Sequence, residues 1–364
     1  MPPNLKNKQP SVMTEPSLAS LAFGTFGIYS SFLYFGSLQE EITGFVGRDG
    51  SKFTYAWLLQ LIEAITCVAV ASVGVYFTGM TAKPDGAAFA MTGFTQVLAK
   101  ALTNMSLMYG LSFPVATLAK SAKAAPVMAG SLFLGGADYK FREYLQVAAI
   151  IAGTAIVGMA KKKGSGQSSS FVGLVFICLS LTCDGLTGGV QKRLKTKLKA
   201  VGVVLKPYEF MLWTNLAMGC IAFVVSLSVG DLSRGAAFLF ANPAVTSKIV
   251  KFAACSACGQ SFIFYTIAKF DPLVCTTVTT TRKIFSVLLS IFINGHAMGA
   301  TGWFGIVLAS AGILAEMEQK RGAMQKGKMK KAASTSSNLS SAGSSGSSSK
   351  GSEDGLLMNR TPPV

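Results

Sequence analysis

Residues 118–128 read LAKSAKAAPVM, two lysines, Lys120 and Lys123, in an otherwise apolar run interrupted by Pro126. On a soluble helix the lysines would sit on a wet face and need no explanation. In a helix crossing hydrocarbon each ammonium costs about 3 kcal/mol unless water or a partner receives it. The rest of the chain selects the second reading. Of 364 residues, 50% are hydrophobic and only 13% charged, too few ionised groups to cover a soluble protein of this length. The 38 glycines suit membrane helices that approach one another closely.

Apolar stretches long enough to span a bilayer, about 20 residues each, fall at 17–38, 54–77, 87–108, 111–134, 144–160, 170–190, 208–229, 248–268, 271–293 and 300–317. The expected fold is therefore an all-α integral membrane protein of ten transmembrane helices, with both termini on one side of the membrane. A flexible segment at 1–16, a first five-helix half at 17–160, a polar connection at 161–170, a second half at 171–317 and a disordered basic, serine-rich tail at 318–364 complete the organisation. Residues 113–133 and 271–292 share a proline after an aromatic or acidic residue, positive charge midway and an apolar end. Five spans per half make the halves inverted repeats, an arrangement common in secondary transporters.

The formal charge of +17 is concentrated in the tail and at 191–206, QKRLKTKLKAVGVVLK. Beside membrane spans such charge marks a cytosolic face, and nucleic acid is not an expected partner. A cytosolic amino terminus puts Lys83, Lys140 and Arg142 on that side and Lys161, Lys162 and Lys163 on the other. The first apolar run reads as a retained helix. All seven cysteines lie in or beside spans, so no disulfide framework is expected, and Cys255 with Cys258 reads as helix packing. His296, the only histidine, reads as a loop residue. No catalytic constellation or metal set is present in the sequence; no enzyme activity and no cofactor are expected.

Lys120 and Lys123 stand one i,i+3 step apart, and Arg282 with Lys283 form a second intramembrane basic pair in TTVTTTRKIFSVLL, residues 276–289. An aqueous cavity holding an anion accounts for all four, arginine offering a bidentate phosphate contact and lysine a point charge. Glu63, Asp184 and Glu40 are candidates for charge balance, and a structural ion pair or helix-end hydrogen bond is the competing reading. Gln260 and Tyr265 are candidates for base or sugar recognition, against packing between helices.

Four stretches carry a resemblance: YFGSLQEEIT at 34–43, FPVATLAKSAKAAPVM at 113–128, LSLTCDGLTGGVQ at 179–191 and GQSFIFYTIAKFDPLVCTTVTTTRK at 259–283. In their order and separation the chain resembles the nucleotide-sugar transporter family of the drug/metabolite transporter superfamily, in its UDP-galactose transporter-like branch. The resemblance implies ten helices in two inverted halves and alternating access at an endoplasmic-reticulum or Golgi membrane. It places the family's basic positions on Lys120, Lys123, Arg282 and Lys283, and the end of its first-helix motif on Gln39 and Glu40. The implied activity is antiport of a UDP-sugar, UDP-galactose or UDP-glucose, against a nucleoside monophosphate. Transport of adenosine phosphosulfate or ATP/ADP, and a membrane receptor or scaffold that moves nothing, are the alternatives. The partners are then the nucleotide-linked substrate, its counter-transported nucleoside phosphate and the lipid bilayer.

Overall fold

In the computed structural model the segment around Lys120 is broken. Helix α4, Phe113–Ala119, gives way to a 3-10 turn at Lys120–Ala122, after which α5 covers Ala124–Leu134. Pro126 supplies the reason. It has no N–H to give to the carbonyl one turn back and its ring crowds that carbonyl, so the preceding turn cannot continue as ideal α-helix. Lys120 and Lys123 accordingly have ψ near −11° and −15°, tighter than an α-helical residue.

The structure describes residues 18–81, 86–134, 140–164, 171–200, 206–270, 272–293 and 298–344. The remaining helices are α1 Leu18–Thr43, α2 Ala56–Thr78, α3 Gly86–Met108, α6 Phe141–Gly164, α7 Phe171–Ala200, α8 Pro207–Val229, α9 Asp231–Ala241, α10 Pro243–Lys269, α11 Pro272–Ile293 and α12 Ala300–Ser344. Among the described residues there is one isolated antiparallel bridge, Val46 to Lys52, in the α1–α2 connection.

Among the described residues seven helices, α1, α2, α6, α7, α8, α11 and α12, are long and apolar enough to cross a bilayer. The chain is thus an all-α multi-pass membrane bundle. Three of the ten expected spans fall outside that set, for two reasons. The fourth is split at the 3-10 turn. The third and eighth, α3 and α10, have 23 and 27 residues but carry too many polar side chains.

Two further features depart from the expected pattern. Gly230, at φ +79, ends α8 in the left-handed conformation that favours glycine, and the chain turns directly into α9, which packs on α2, α8 and α10. No helix is expected there from the sequence because 11 residues are too few to span. The tail expected to lack structure is helical as far as Ser344; good helix formers such as Ala323, Met324, Gln325 and Lys326 stand between Gly322 and Gly327. The chain divides into two units, Met1–Met317 and Glu318–Val364, with the helix bundle in the first. The expected flexible segment at 1–16, Lys83 and His296 lie outside the described residues, as do 165–170 of the polar connection.

The bundle is held by close helix pairs: α1 with α10, α2 with α8, α3 with α7, α3 with α8, α2 with α10, and α4 with α11. In α6 and α12 glycine is what permits the approach. A Cβ on Gly153 would lie 2.5 Å from the Ala309 amide nitrogen and 2.6 Å from the Gly305 carbonyl oxygen. Without a hydrophobic force between helices in lipid, such close van der Waals packing holds them together.

Candidate functional site

Some of the polar residues of α3 and α10 recur on one face of each helix. On α3, Gln96, Lys100, Thr103 and Asn104 follow the spacing i, i+4, i+7, i+8; on α10, Ser256 and Gln260 stand one turn apart. Both faces look into a cavity of about 570 Å³, walled also by α1, α2, α4, α7, α8 and α11. That volume suits a small-molecule ligand.

Four cations, Lys100, Lys120, Arg282 and Lys283, line the cavity with the carboxylate of Glu63, and with Asp184 paired to Lys120 this leaves an excess of two positive charges. The two chain halves contribute equally to those cations. Lys120 donates to Thr103 Oγ1 at 2.8 Å and pairs with Asp184 at 3.1 Å. The Arg282 guanidinium lies over the Phe32 ring, 4.6 Å from its centre, a cation–π contact that fixes its plane. Lys283 makes no hydrogen bond or ion pair with a described residue and stands within electrostatic reach of Lys120, Lys123 and Arg282 as well as Asp184. Lys100 pairs with Glu63 at 2.7 Å.

A second group of side chains is rich in amides and aromatic rings. Gln60, Gln96, Gln191, Thr214, Asn215 and Gln260 line the cavity with Phe35, Phe210, Phe252 and Phe264. Several buried polar atoms on lining residues find no hydrogen-bond partner among the described residues: Gln60 Oε1, Asn104 Nδ2, Thr214 Oγ1, Ser286 Oγ and Arg282 Nε. A buried polar group left unpaired costs about 1–3 kcal/mol, so a cluster of them around one cavity is the expected preparation for a polar ligand.

Contacts at the carboxyl end of α1 tie the bundle together. Gln39 donates to Asn104 Oδ1 on α3 at 2.6 Å, Ser290 on α11 donates to Glu40 at 2.6 Å, and Lys248 on α10 pairs with Glu41 at 2.7 Å. Three consecutive residues therefore grip three different helices. Beneath them Leu38, Ile42, Phe53, Phe238 and Phe252 form an apolar cluster, and Phe252 also lines the cavity.

Of the residues singled out from the sequence, Lys120, Arg282, Lys283, Gln260, Gln39 and Glu63 are brought to the cavity wall. Lys123 is exposed and outside the lining. Tyr265 is also outside it, packed edge-on against Phe23 on α1. Glu40 and Asp184 stand behind the wall, joined to Ser290 and Lys120. Lys100 was legible in principle from the i, i+4, i+7, i+8 polar face but is not prominent as a lone lysine. The unpaired amides and the phenylalanines carry no signal in one sequence, since only the bundle gives them a common direction.

The match to known proteins agrees with this architecture. The UAA transporter family model matches residues 20–320. "Solute carrier family 35 member B1 homolog" of Drosophila melanogaster is 30% identical, the alignment covering 84% of this chain and 92% of that one. "Solute carrier family 35 member B1" of Danio rerio is 32% identical over 79% and 88% of the two chains. "UDP-galactose transporter homolog 1" of Schizosaccharomyces pombe is 29% identical over 80% and 91%. A solved crystal structure aligns with a TM-score of 0.50 and 14% identity over 84% of this chain and 99% of its own, a likeness of fold alone. The family match over residues 20–320, with relatives 30% and 32% identical along most of their own length, makes the chain a member of the UAA transporter family, whose work is transport and not catalysis.

Proposed function

We propose that the protein is an antiporter that exchanges a UDP-sugar, UDP-galactose or UDP-glucose, for a nucleoside monophosphate. The observation that carries this reading is the convergence of Lys120 from the first half with Arg282 and Lys283 from the second on one cavity with an excess of two positive charges. The name of the Schizosaccharomyces pombe relative points to the galactose conjugate.

Charge balance accounts for exchange in place of one-way flow. Between cargoes the site carries uncompensated cations whose passage through a low-dielectric closed state is unfavourable. A UDP-sugar bears one negative charge on each of two phosphates, and a nucleoside monophosphate bears about −1.5 to −2 at neutral pH. Either cargo offsets a similar share of the excess, so the loaded forms interconvert and the unloaded form does not. Lys120, Arg282 and Lys283 engage phosphate, with Lys123 acting at longer range. Gln260 and its neighbouring amides recognise base and sugar, a role that does not extend to Tyr265 in this conformation. Endoplasmic-reticulum or Golgi membrane is the matching location.

Alternating access between two inverted five-helix halves completes the reading. Exchanging α1 with α7, α2 with α8, α3 with α10, and α4 with α11 maps the α1–α10 contact onto α7–α3, and the α3–α8 contact onto α10–α2. That correspondence supports an inverted repeat, and with it bilayer crossings by α3, α4 with α5, and α10, their polar faces turned to the cavity. The Gln39, Glu40 and Glu41 contacts are then a gate in its closed position, and Asp184 and Glu63 hold the cations when cargo leaves.

Reconstitution into vesicles tests the proposal. Uptake of UDP-galactose or UDP-glucose is expected to rise when the lumen is preloaded with UMP and to stay near background in empty vesicles. Selective stimulation by adenine nucleotides would transfer the reading to an adenine-nucleotide exchanger, and binding with no flux to a receptor.

A further inference from the structure

Lys100 and Glu63 form a pair whose two members face different surroundings. The Glu63 side chain is 3% exposed and the Lys100 side chain 27%. Glu63 Oε1 accepts from Lys100 Nζ at 2.7 Å and from Ser256 Oγ at 2.5 Å. Ser256 also accepts from Gln260 Nε2 at 3.4 Å, and Gln260 meets Asn215 at 3.5 Å. The carboxylate is thus held from α10 and almost fully buried, and of the two cavity-lining residues Lys100 is the more exposed.

A buried ion pair that served stability alone would gain nothing from placing its cation on the wall of a cavity already in positive excess. Replacement of such a pair by apolar side chains is often neutral or stabilising. The position of Lys100 relative to the other cations gives it a further use. Lys120 reaches the same helix face by donating to Thr103 Oγ1, and Thr103 lies one turn beyond Lys100 on α3. Lys100 and the Thr103 hydroxyl that receives Lys120 therefore stand along one wall, their positions on α3 separated by about 5 Å of helix rise.

We infer that Lys100 is a ligand-binding cation for the second phosphate of a nucleoside diphosphate ester, and that Glu63 is its positioning residue. This rests on the proposed anion-binding reading of the cavity and adds to it a residue that distinguishes one phosphate from two. A cargo phosphate between Lys120, Arg282 and Lys283 leaves its neighbour facing Lys100. A monophosphate has nothing to place there. Glu63 keeps the ammonium extended toward the cavity and, through Ser256, fixes its place relative to Gln260.

Binding of UDP and UMP to the purified full-length protein tests this with Lys100→Met, Glu63→Gln and the double variant. Lys100→Met leaves Glu63 buried without its cation, so its thermal stability is expected to fall. In the double variant both charges are gone, the amide oxygen introduced at position 63 still accepts from Ser256, and stability is expected to return. Affinity is not: the dissociation constant for UDP is expected to stay at least about 10-fold raised in the double variant, with that for UMP changed less than about 3-fold. Lys100→Arg is expected to recover part of the UDP affinity. Native affinity for UDP in the double variant, or equal losses for UDP and UMP, overturns the inference while leaving the cavity reading standing. Binding of neither nucleotide by the unaltered protein overturns the cavity reading itself, and the inference falls with it.

Discussion

Lys283→Ala is expected to lower exchange by about 30-fold at matched membrane abundance. One charge-assisted contact to phosphate in a partly desolvated site contributes about 1.5–3 kcal/mol, and about 2 kcal/mol is about a 30-fold change. What makes this substitution informative is that Lys283 holds nothing else. It has no hydrogen bond or ion pair among the described residues and lies within electrostatic reach of Lys120, Lys123 and Arg282. Its removal relieves like-charge crowding, so the variant is expected to melt no lower than the unaltered protein. Lys123→Ala, at an exposed position outside the lining, is expected to lose less than about 3-fold, in keeping with an electrostatic influence at longer range. Transport assays on both variants, normalised to protein in the membrane, check the order. Equal losses would mean that the two lysines exchange places as the cavity changes state.

The largest effect on stability is expected at Gly153. An alanine there places its Cβ against the Ala309 amide nitrogen and the Gly305 carbonyl oxygen, backbone atoms that cannot move aside without separating α6 from α12. Overpacking of this kind costs about 3 kcal/mol. Gly158→Ala is the internal control about one and a half turns along the same helix, where the nearest atoms, the Val115 methyls, are 4.0 Å away. There the gain in helix propensity, up to about 1 kcal/mol, is unopposed. Thermal denaturation in detergent is expected to show a clear fall for the first and none for the second. A neutral Gly153→Ala would mean that the α6–α12 contact opens at little cost.

Membrane class, helical architecture and the basic positions were legible because hydrocarbon imposes a harsh rule on sequence: charged residues inside a span need a reason. Lys120, Arg282 and Lys283 stood out against their neighbours for that cause, and all three reach the cavity. Helical spacing groups Lys123 with Lys120, but Lys123 is exposed and stands outside the cavity lining. Seven of the ten expected spans meet the length and apolarity that a crossing needs among the described residues; α3 and α10 carry polar faces, and the fourth expected span is split at Lys120–Ala122. Tyr265 shows the opposite limit. Its sequence neighbourhood is that of Gln260, but five residues along a helix is more than a full turn, and the ring points to Phe23. Lys100 and Glu63 are 37 residues apart, so nothing short of the packed bundle could reveal them as a pair.

The central claim is that one cavity receives phosphate from cations of both halves. A structure of the protein determined with UDP bound tests it most directly. The account predicts the diphosphate inside the cavity, one phosphate within about 3 Å of Lys120, Arg282 and Lys283 and the other facing Lys100, with the base among Gln60, Asn215 and Gln260. A nucleotide held elsewhere, with these three side chains still facing a cavity that holds no phosphate, would contradict it.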